Sequence, residues 1–416
     1  MFSNRARIAV VAGLVVIGLA APSAAVKRRA FVTSVAGNGN LASWALAGGG
    51  VGLAAGDNIC RARAFIADLP NPGSYYAWLS TASTDAYCHV QGQTGKKANG
   101  CVGTATGAGP WYRYDGVGRF SGSIDELTDF ASQAIYQPIR FDEFGNELSG
   151  TGDGFWTSTS KTGEAGPDTC SGWIVGSSGA AGSTGLPDRT WDDWTAYLIS
   201  ACDNERRLLC LEGGTSEVTP VPWVPAALVF TTSVSGSGDL STWPEAGGET
   251  GLAAADNICQ SLATAAHLPS PGSFFAWLST NATDAGDRLT LTGTPIRRVD
   301  GFRVADSKSD LLATGADNSL HVDEAGRYLS YTNLWTGTDG DGTATVDNCD
   351  GWSSAVATDD GHTGFGNAAY SEVWTQIGAY DCDLTHRLAC FSNVEVLFWD
   401  GFDLSENTER WSAVVP

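Results

Sequence analysis

One stretch is written twice in this chain. It reads Gly52-Leu53-Ala54-Ala55-Gly56-Asp57-Asn58-Ile59-Cys60, and again Gly251-Leu252-Ala253-Ala254-Ala255-Asp256-Asn257-Ile258-Cys259. Cys259 follows Cys60 by 199 residues, and that displacement holds without a gap from Phe31/Phe230 to Ala86/Ala285. Solenoid repeats recur every ~20–50 residues, so a period this long marks a duplicated domain. The 416 residues are enough for two domains, each with its own core.

The first 25 residues read as a secretory signal. Arg5 and Arg7 form a basic start, and Ile8 to Ala21 is an apolar run short for a membrane span. Ser23-Ala24-Ala25 supplies the small residues of a cleavage site. No later stretch is apolar enough to cross a bilayer, and a secreted location follows: extracellular, at the outer surface, or periplasmic. The net charge is −22, and two of the basic residues lie in the signal. Such a chain repels phosphate backbones and anionic membranes, which argues against nucleic acid as a partner. Cations, glycans and basic proteins stay open.

Within each copy the order of motifs is the same. A β-rich run, Ala30-Phe31-Val32-Thr33-Ser34 or Val229-Phe230-Thr231-Thr232-Ser233, is followed by a turn and a loop carrying Trp44 or Trp243. The duplicated stretch then predicts a helix, with Cys60, Ala64 and Ala67 on one stripe and Pro70 as its stop. Copy 2 matches with Cys259, Ala263, Ala266 and Pro269. Tyr75 to Ser80 and Phe274 to Ser279 read as strands. Copy 1 then inserts a loop with Cys88 and Cys101. Ser123-Ile124-Asp125-Glu126 has the spacing of a helix capping box. Phe141 to Gly145 and Val322 to Gly326 read as strand-to-turn junctions. Residues 213–227 hold Pro220, Pro222 and Pro225 and read as a semi-stiff linker. The organisation expected is a signal at 1–25, domains at 30–212 and 228–393, the linker between them, and a tail at 394–416.

Ten cysteines behind a signal argue for disulfides in an oxidising compartment. Four positions are duplicated: Cys60/Cys259, Cys170/Cys349, Cys202/Cys382 and Cys210/Cys390. Spacing alone leaves three connectivities per copy. Cys88 and Cys101 are unique to copy 1 and are left to pair with each other.

Five motifs occur in both copies: Phe-x-Thr-Ser, Gly-Leu-Ala-Ala-x-Asp-Asn-Ile-Cys, Ala-Trp-Leu-Ser, Cys-x-Gly-Trp and Arg-Leu-x-Cys. Together they resemble the endostatin-like branch of the C-type-lectin-like fold. More closely, they resemble an uncharacterised bacterial domain family of lipoproteins and secreted proteins. The resemblance implies two tandem α+β domains stapled by nested bridges, Cys60 to Cys210 around Cys170 to Cys202, and Cys259 to Cys390 around Cys349 to Cys382. The tail, with Phe398-Trp399-Asp400-Gly401-Phe402 and Trp411-Ser412, resembles a C-terminal motif of secreted proteins from Gram-negative bacteria.

Chemistry is harder to place. No Gly-x-Ser-x-Gly elbow, His-Glu-x-x-His helix or phosphate loop is present. Asp142/Glu143 and Asp323/Glu324 are paired acids that read as solvated turns, or as a hydrolase pair if folding sets two carboxyls apart suitably. Asp339, Asp341, Asp347 and Asp350 form an oxygen-rich loop in copy 2 that suits calcium, without the closing Glu of an EF-hand. Copy 1 reads as lacking matching acids. Trp191-Asp192-Asp193 echoes the Trp-Asn-Asp of sugar-binding C-type lectins, though no Glu-Pro-Asn accompanies it. Most Trp residues fall into five duplicated pairs and read as framework. Trp111 and Trp191 break the pairing, and an exposed ring of this kind stacks on sugars or anchors a partner. The expected function is non-catalytic binding or adhesion to an extracellular protein or glycan. Calcium-assisted carbohydrate binding and a secreted hydrolase are the alternatives.

Overall fold

A computed structural model describes residues 27–129, 135–369 and 372–397. The expected signal and the tail from residue 398 onward lie outside them. The described chain is mixed α and β, with several sheets and five disulfides.

Copy 1 is built around the strand Arg207–Glu212. Its Leu-Leu-Cys-Leu run is continuous because both faces are covered. One edge pairs antiparallel with Arg28–Val32; the other takes Tyr75–Ala77 and, in parallel, Phe155–Trp156. Beyond Phe155–Trp156 come Ala181–Gly185 and then Leu198–Ala201, the last strand on that side. In the other direction Arg28–Val32 leads to Trp111–Arg113 and Arg119–Ser121. Copy 2 repeats the order as two sheets, joined by a lone bridge between Leu334 and Arg387 where copy 1 has a continuous pair. The hydrophobic clusters divide cleanly by copy, so each copy buries its own core.

The helices Leu53–Ile66 and Gly251–Ala265 cover these sheets, with the stripe cysteines buried. Their duplicated Asp-Asn pair is a staple. Asp57 accepts from the Ala77 backbone at 3.0 Å and meets His89 Nε2 at 2.9 Å. Asp256 accepts from Ala276 at 3.1 Å, and both its carboxylate oxygens accept from Nη2 of Arg288. Asn58 and Asn257 donate to the Ala47 and Ala246 carbonyls, which ties each helix to the loop before it. The prolines do not stop the helices. Asp68, at φ 54°, turns the chain left-handed, and Leu69 and Asp68 donate back to Ala64 and Phe65 in a Schellman motif. His267 does the same in copy 2.

Glycine and tryptophan are abundant for one shared reason. A Cβ on Gly37 or Gly236 would lie 2.3 or 2.4 Å from the indole of Trp44 or Trp243. A Cβ on Gly39 or Gly238 would lie 2.3 or 2.2 Å from the sulfur of Cys170 or Cys349. The indoles and disulfides therefore occupy the space a side chain would need. Cys-x-Gly-Trp itself is a turn of left-handed helix. Cys170, Ser171, Gly172 and Trp173 all have positive φ, and Trp173 N donates to Thr169 O. Cys349 to Trp352 repeat it. Left-handed helix costs an L-residue ~1–2 kcal/mol, so three restraints hold the turn: the disulfide, a side-chain cap from Thr169, and the Trp173 indole bonded to Ser80 O. Two substitutions separate the roles of these glycines. Gly172→Ala has open space and is expected to cost about 1 kcal/mol from backbone alone. Gly39→Ala strikes a disulfide and the Val175 carbonyl and is expected to cost about 2–3 kcal/mol. Urea midpoints of the two variants check the order.

The copies also pack on each other about an internal two-fold. Thr190 N donates to Asn367 O at 3.2 Å, and Ala369 N donates to Asp188 O at 3.0 Å. Arg189 bridges Ala368 between them. Arg140 donates to Asp317 O at 2.7 Å, and His321, its counterpart, to Ile135 O at 3.1 Å. Buried Arg113 reaches Asn318 Oδ1, and its counterpart Arg298 reaches Tyr136 O. The backbone contacts of residues 188–190 with 367–369 mate residue for residue across the axis, and the side-chain contacts do so to within one residue, the pattern of an isologous interface. The segment after residue 212 is tied down as well. Gly214–Thr215 pairs with Ala108–Gly109, and Tyr112 Oη bonds Glu217 O and Thr219 N.

His321 makes this interface sensitive to pH. It is fully buried, its Nε2 donates to a carbonyl, and its Nδ1 therefore accepts from Ser319 Oγ at 2.7 Å. Burial pushes its pKa down from 6.5 to about 3; Arg298 adds to this, and Asp300 opposes it. The unfolded chain then takes up the proton first. The stabilising contribution is complete above pH 6.5 and is lost as pH falls toward 3, at about 1.4 kcal/mol per pH unit. Burial raises the carboxyls of Asp188 and Asp317 at the same interface, which act with the opposite sign. His321→Gln is therefore expected to remove a defined part of the acid slope, read as the difference between its urea melts and those of the parent across pH.

Candidate functional site

The paired acids are structural. Asp142 is 2% exposed and accepts from Phe144 N and Asn146 N at 2.9 Å and from Asn146 Nδ2 at 2.8 Å. Glu143 accepts from Ser34 N at 2.8 Å and Ser34 Oγ at 2.7 Å and pairs with Arg63. Asp323 caps its own turn through Ala325 N and Arg327 N. Glu324 accepts from Ser233 N at 3.0 Å and from its hydroxyl. Leu262 stands where copy 1 has Arg63, and burial pushes the Glu324 carboxyl up. The expectation of solvated turns is thus corrected. The Asp side chain closes the turn, and the Glu satisfies the serine of Phe-x-Thr-Ser in the first strand.

The acids of the copy 2 loop are not gathered. Among the described residues no group of three or more His, Cys, Asp or Glu is placed to hold a metal ion. Asp341 is exposed and closes on Thr343 N at 3.0 Å and Thr343 Oγ1 at 2.6 Å, which holds its carboxyl low. Asp339 uses its backbone to close the same turn, with Gly342 N donating to its carbonyl at 2.9 Å. Asp350 rides on the exposed side of the left-handed turn. Asp347 accepts from His362 N through its carbonyl, as Asp168 does from Ser183 N. Asp168 is therefore a copy 1 match for Asp347, which the sequence reading overlooked.

Of the two tryptophans that break the pairing within copy 1, Trp111 is fully buried, and its indole bonds Glu212 O. It belongs to the core because its strand lies beside Arg28–Val32. Trp191 is half-buried at the entry to a 3-10 turn, Asp192–Trp194. Lys161 Nζ sits 3.7 Å from its ring centroid and 2.9 Å from Asp192 Oδ1, so one ring face is already taken by a cation. Burial pushes the Asp193 carboxyl up, and its carbonyl accepts from Leu186 N.

The same segment continues into the outermost strand, and here too the copies differ. Leu198 and Ile199 are 53% and 65% exposed, with Tyr197 also at the surface. The matching positions in copy 2 are Ile377, Gly378 and Ala379. Ala201, at the end of this strand, borders a shallow depression of about 540 Å³ that is lined by Asp168, Thr169, Ser171 and Ser178 beside the Cys170–Cys202 bridge. No signal for this surface was taken from the sequence. A residue-by-residue subtraction of the copies, counted back from Cys202 and Cys382, would have found it. Counting forward from Cys60 and Cys259 likewise pairs His89 with Arg288, the two side chains that serve the duplicated Asp. No family model matches the chain, and no curated protein matches it.

Proposed function

We propose that this chain is a secreted, non-catalytic binding or adhesion protein built from two tandem C-type-lectin-like domains of the endostatin-like kind. The observation that carries the binding reading is how polar and apolar groups divide between framework and surface. The paired acids that would serve a hydrolase are spent on backbone amides, a serine and an arginine. The unmatched segment Trp191–Ile199 instead presents an aromatic ring and two large aliphatic side chains outward. Large apolar groups gathered at the surface of one segment are a surface to be covered by something else. The domain reading is supported by the repeated motif order and by bridges nested in each copy, Cys60–Cys210 around Cys170–Cys202 and Cys259–Cys390 around Cys349–Cys382. Secretion is supported by the disulfides.

The test is a panel of immobilised glycans and extracellular proteins, probed with the full chain with and without calcium, and with the bound ligand recovered and weighed. Saturable binding, unchanged by a chelator, with ligand recovered intact, is expected. Ligand recovered cleaved would replace this reading with the hydrolase. Binding that vanishes with the chelator would replace it with calcium-assisted carbohydrate recognition.

A further inference from the structure

We propose that the strand Leu198–Ala201 takes on an added strand: an extended segment of a partner protein, apolar in the middle and basic at its ends. This deepens the binding reading above and rests on it. Leu198–Ala201 is the last strand of its sheet, with Ala181–Gly185 on one side and, among the described residues, no strand beyond it. Cys202 N donates to Ala180 O at 2.8 Å, which makes that pair hydrogen-bonded. Antiparallel alternation then turns Ser200 inward and aims the Ile199 N–H and C=O outward, past the sheet. Leu198 and Ile199 point to opposite faces, yet both are more than half exposed. The strand therefore stands proud of the body on both faces, and an added strand would gain backbone bonds and side-chain cover together.

Exposed apolar edges are a hazard that folded chains blunt. Copy 2 softens its own edge: Gly378, at φ 142°, and Ala379 replace Leu198 and Ile199, and Asp381 closes the strand, leaving Ile377 and Tyr380 at its surface less exposed than Leu198 and Ile199. Copy 1 keeps the hazard. Charge selects the occupant. Asp192 and Asp193 precede the strand, and Asp203 and Glu205 follow it, against Lys161 and Arg206. Antiparallel pairing with a second copy of this chain would set the acids before one strand against those after the other, between molecules of net charge −22. A strand flanked by Lys or Arg meets the same ends favourably.

The probe is a short labelled peptide of alternating valine and threonine with two lysines at each end. Its twin carries glutamates there. Titrated against the full chain, the lysine peptide is expected to bind about tenfold tighter or more. Amide exchange should slow at residues 198–201. Ile199→Pro removes the outward N–H at a position where an edge strand tolerates proline. It should weaken binding about tenfold while leaving the melting temperature unchanged. No binding of either peptide, equal binding of the two, or binding undiminished in Ile199→Pro would overturn the proposal. So would a concentration-dependent dimer that Ile199→Pro abolishes, since the occupant would then be a second copy. Running the glycan and protein panel with the same variant keeps the two readings apart. A panel that binds while the peptides fail sinks strand addition alone, and a panel that stays silent sinks the binding reading.

Discussion

Replacing Cys60 and Cys210 together by alanine is expected to lower the unfolding free energy by about 5 kcal/mol, against about 3 kcal/mol for Cys88 with Cys101. The difference comes from the chain each bridge encloses. Cys60 and Cys210 are 150 residues apart in sequence, and Cys88 and Cys101 are 13 apart. Closing the larger loop removes more freedom from the unfolded chain. The long bridge also lies where helix Leu53–Ile66 crosses the central strand, and both sulfurs are fully buried. Guanidinium unfolding of the two double variants, followed by tryptophan fluorescence, reads the ranking directly. Equal losses would show that native-state packing, rather than loop closure, sets the contribution.

The second large effect is expected at Arg298. Its guanidinium is 1% exposed and holds Asp300 with two bonds, Ser319 O with a third and Tyr136 O of the other copy with a fourth. Tyr328 Oη also donates to Asp300, at 2.6 Å. Arg298→Met leaves that carboxylate buried without its cation and is expected to cost about 3–5 kcal/mol. Arg298→Met combined with Asp300→Asn strands no charge, so its cost should fall well below that of the single change. Thermal melts of the parent and both variants check this. A double variant as damaged as the single one would mean that lost contact to Tyr136, rather than the stranded charge, dominates.

The framework was legible because it is written twice. The cysteines, the paired tryptophans, the helix over Cys60 and Ala64, and the capping box that starts Ile124–Leu127 could all be read from residue type and spacing. What escaped the sequence depends on contacts between distant segments. Asp142 and Glu143 have the composition of a wet turn, and only the approach of Ser34 and Arg63 buries them. Pro70 has the look of a helix stop, but Asp68 ends the helix first, because its left-handed turn satisfies two orphan carbonyls. Cysteine spacing left three pairings open in each copy; the nested one arises because the central strand carries Cys210 past the helix that carries Cys60. The Leu198–Ile199 edge was invisible for a different reason. Apolar residues in a short strand read as core until the sheet order shows that no strand among the described residues lies beyond them.

Fusing two copies into one chain frees the axis between them from self-opposition. In a dimer of identical subunits, whatever residue sits on the two-fold meets itself. Copy 1 places Arg189 there, and paired with its own twin it would set two guanidinium groups against each other. Here Arg189 faces Ala368 instead, and Asp188 corresponds across the axis to the uncharged Asn367. Asn367 uses its amide oxygen on Thr332 N and its amide nitrogen on Thr190, bonds that an aspartate could not both make. A tethered pair can thus hold a charged residue on one side of its symmetry axis and a neutral one on the other, and each half can change without the change appearing twice.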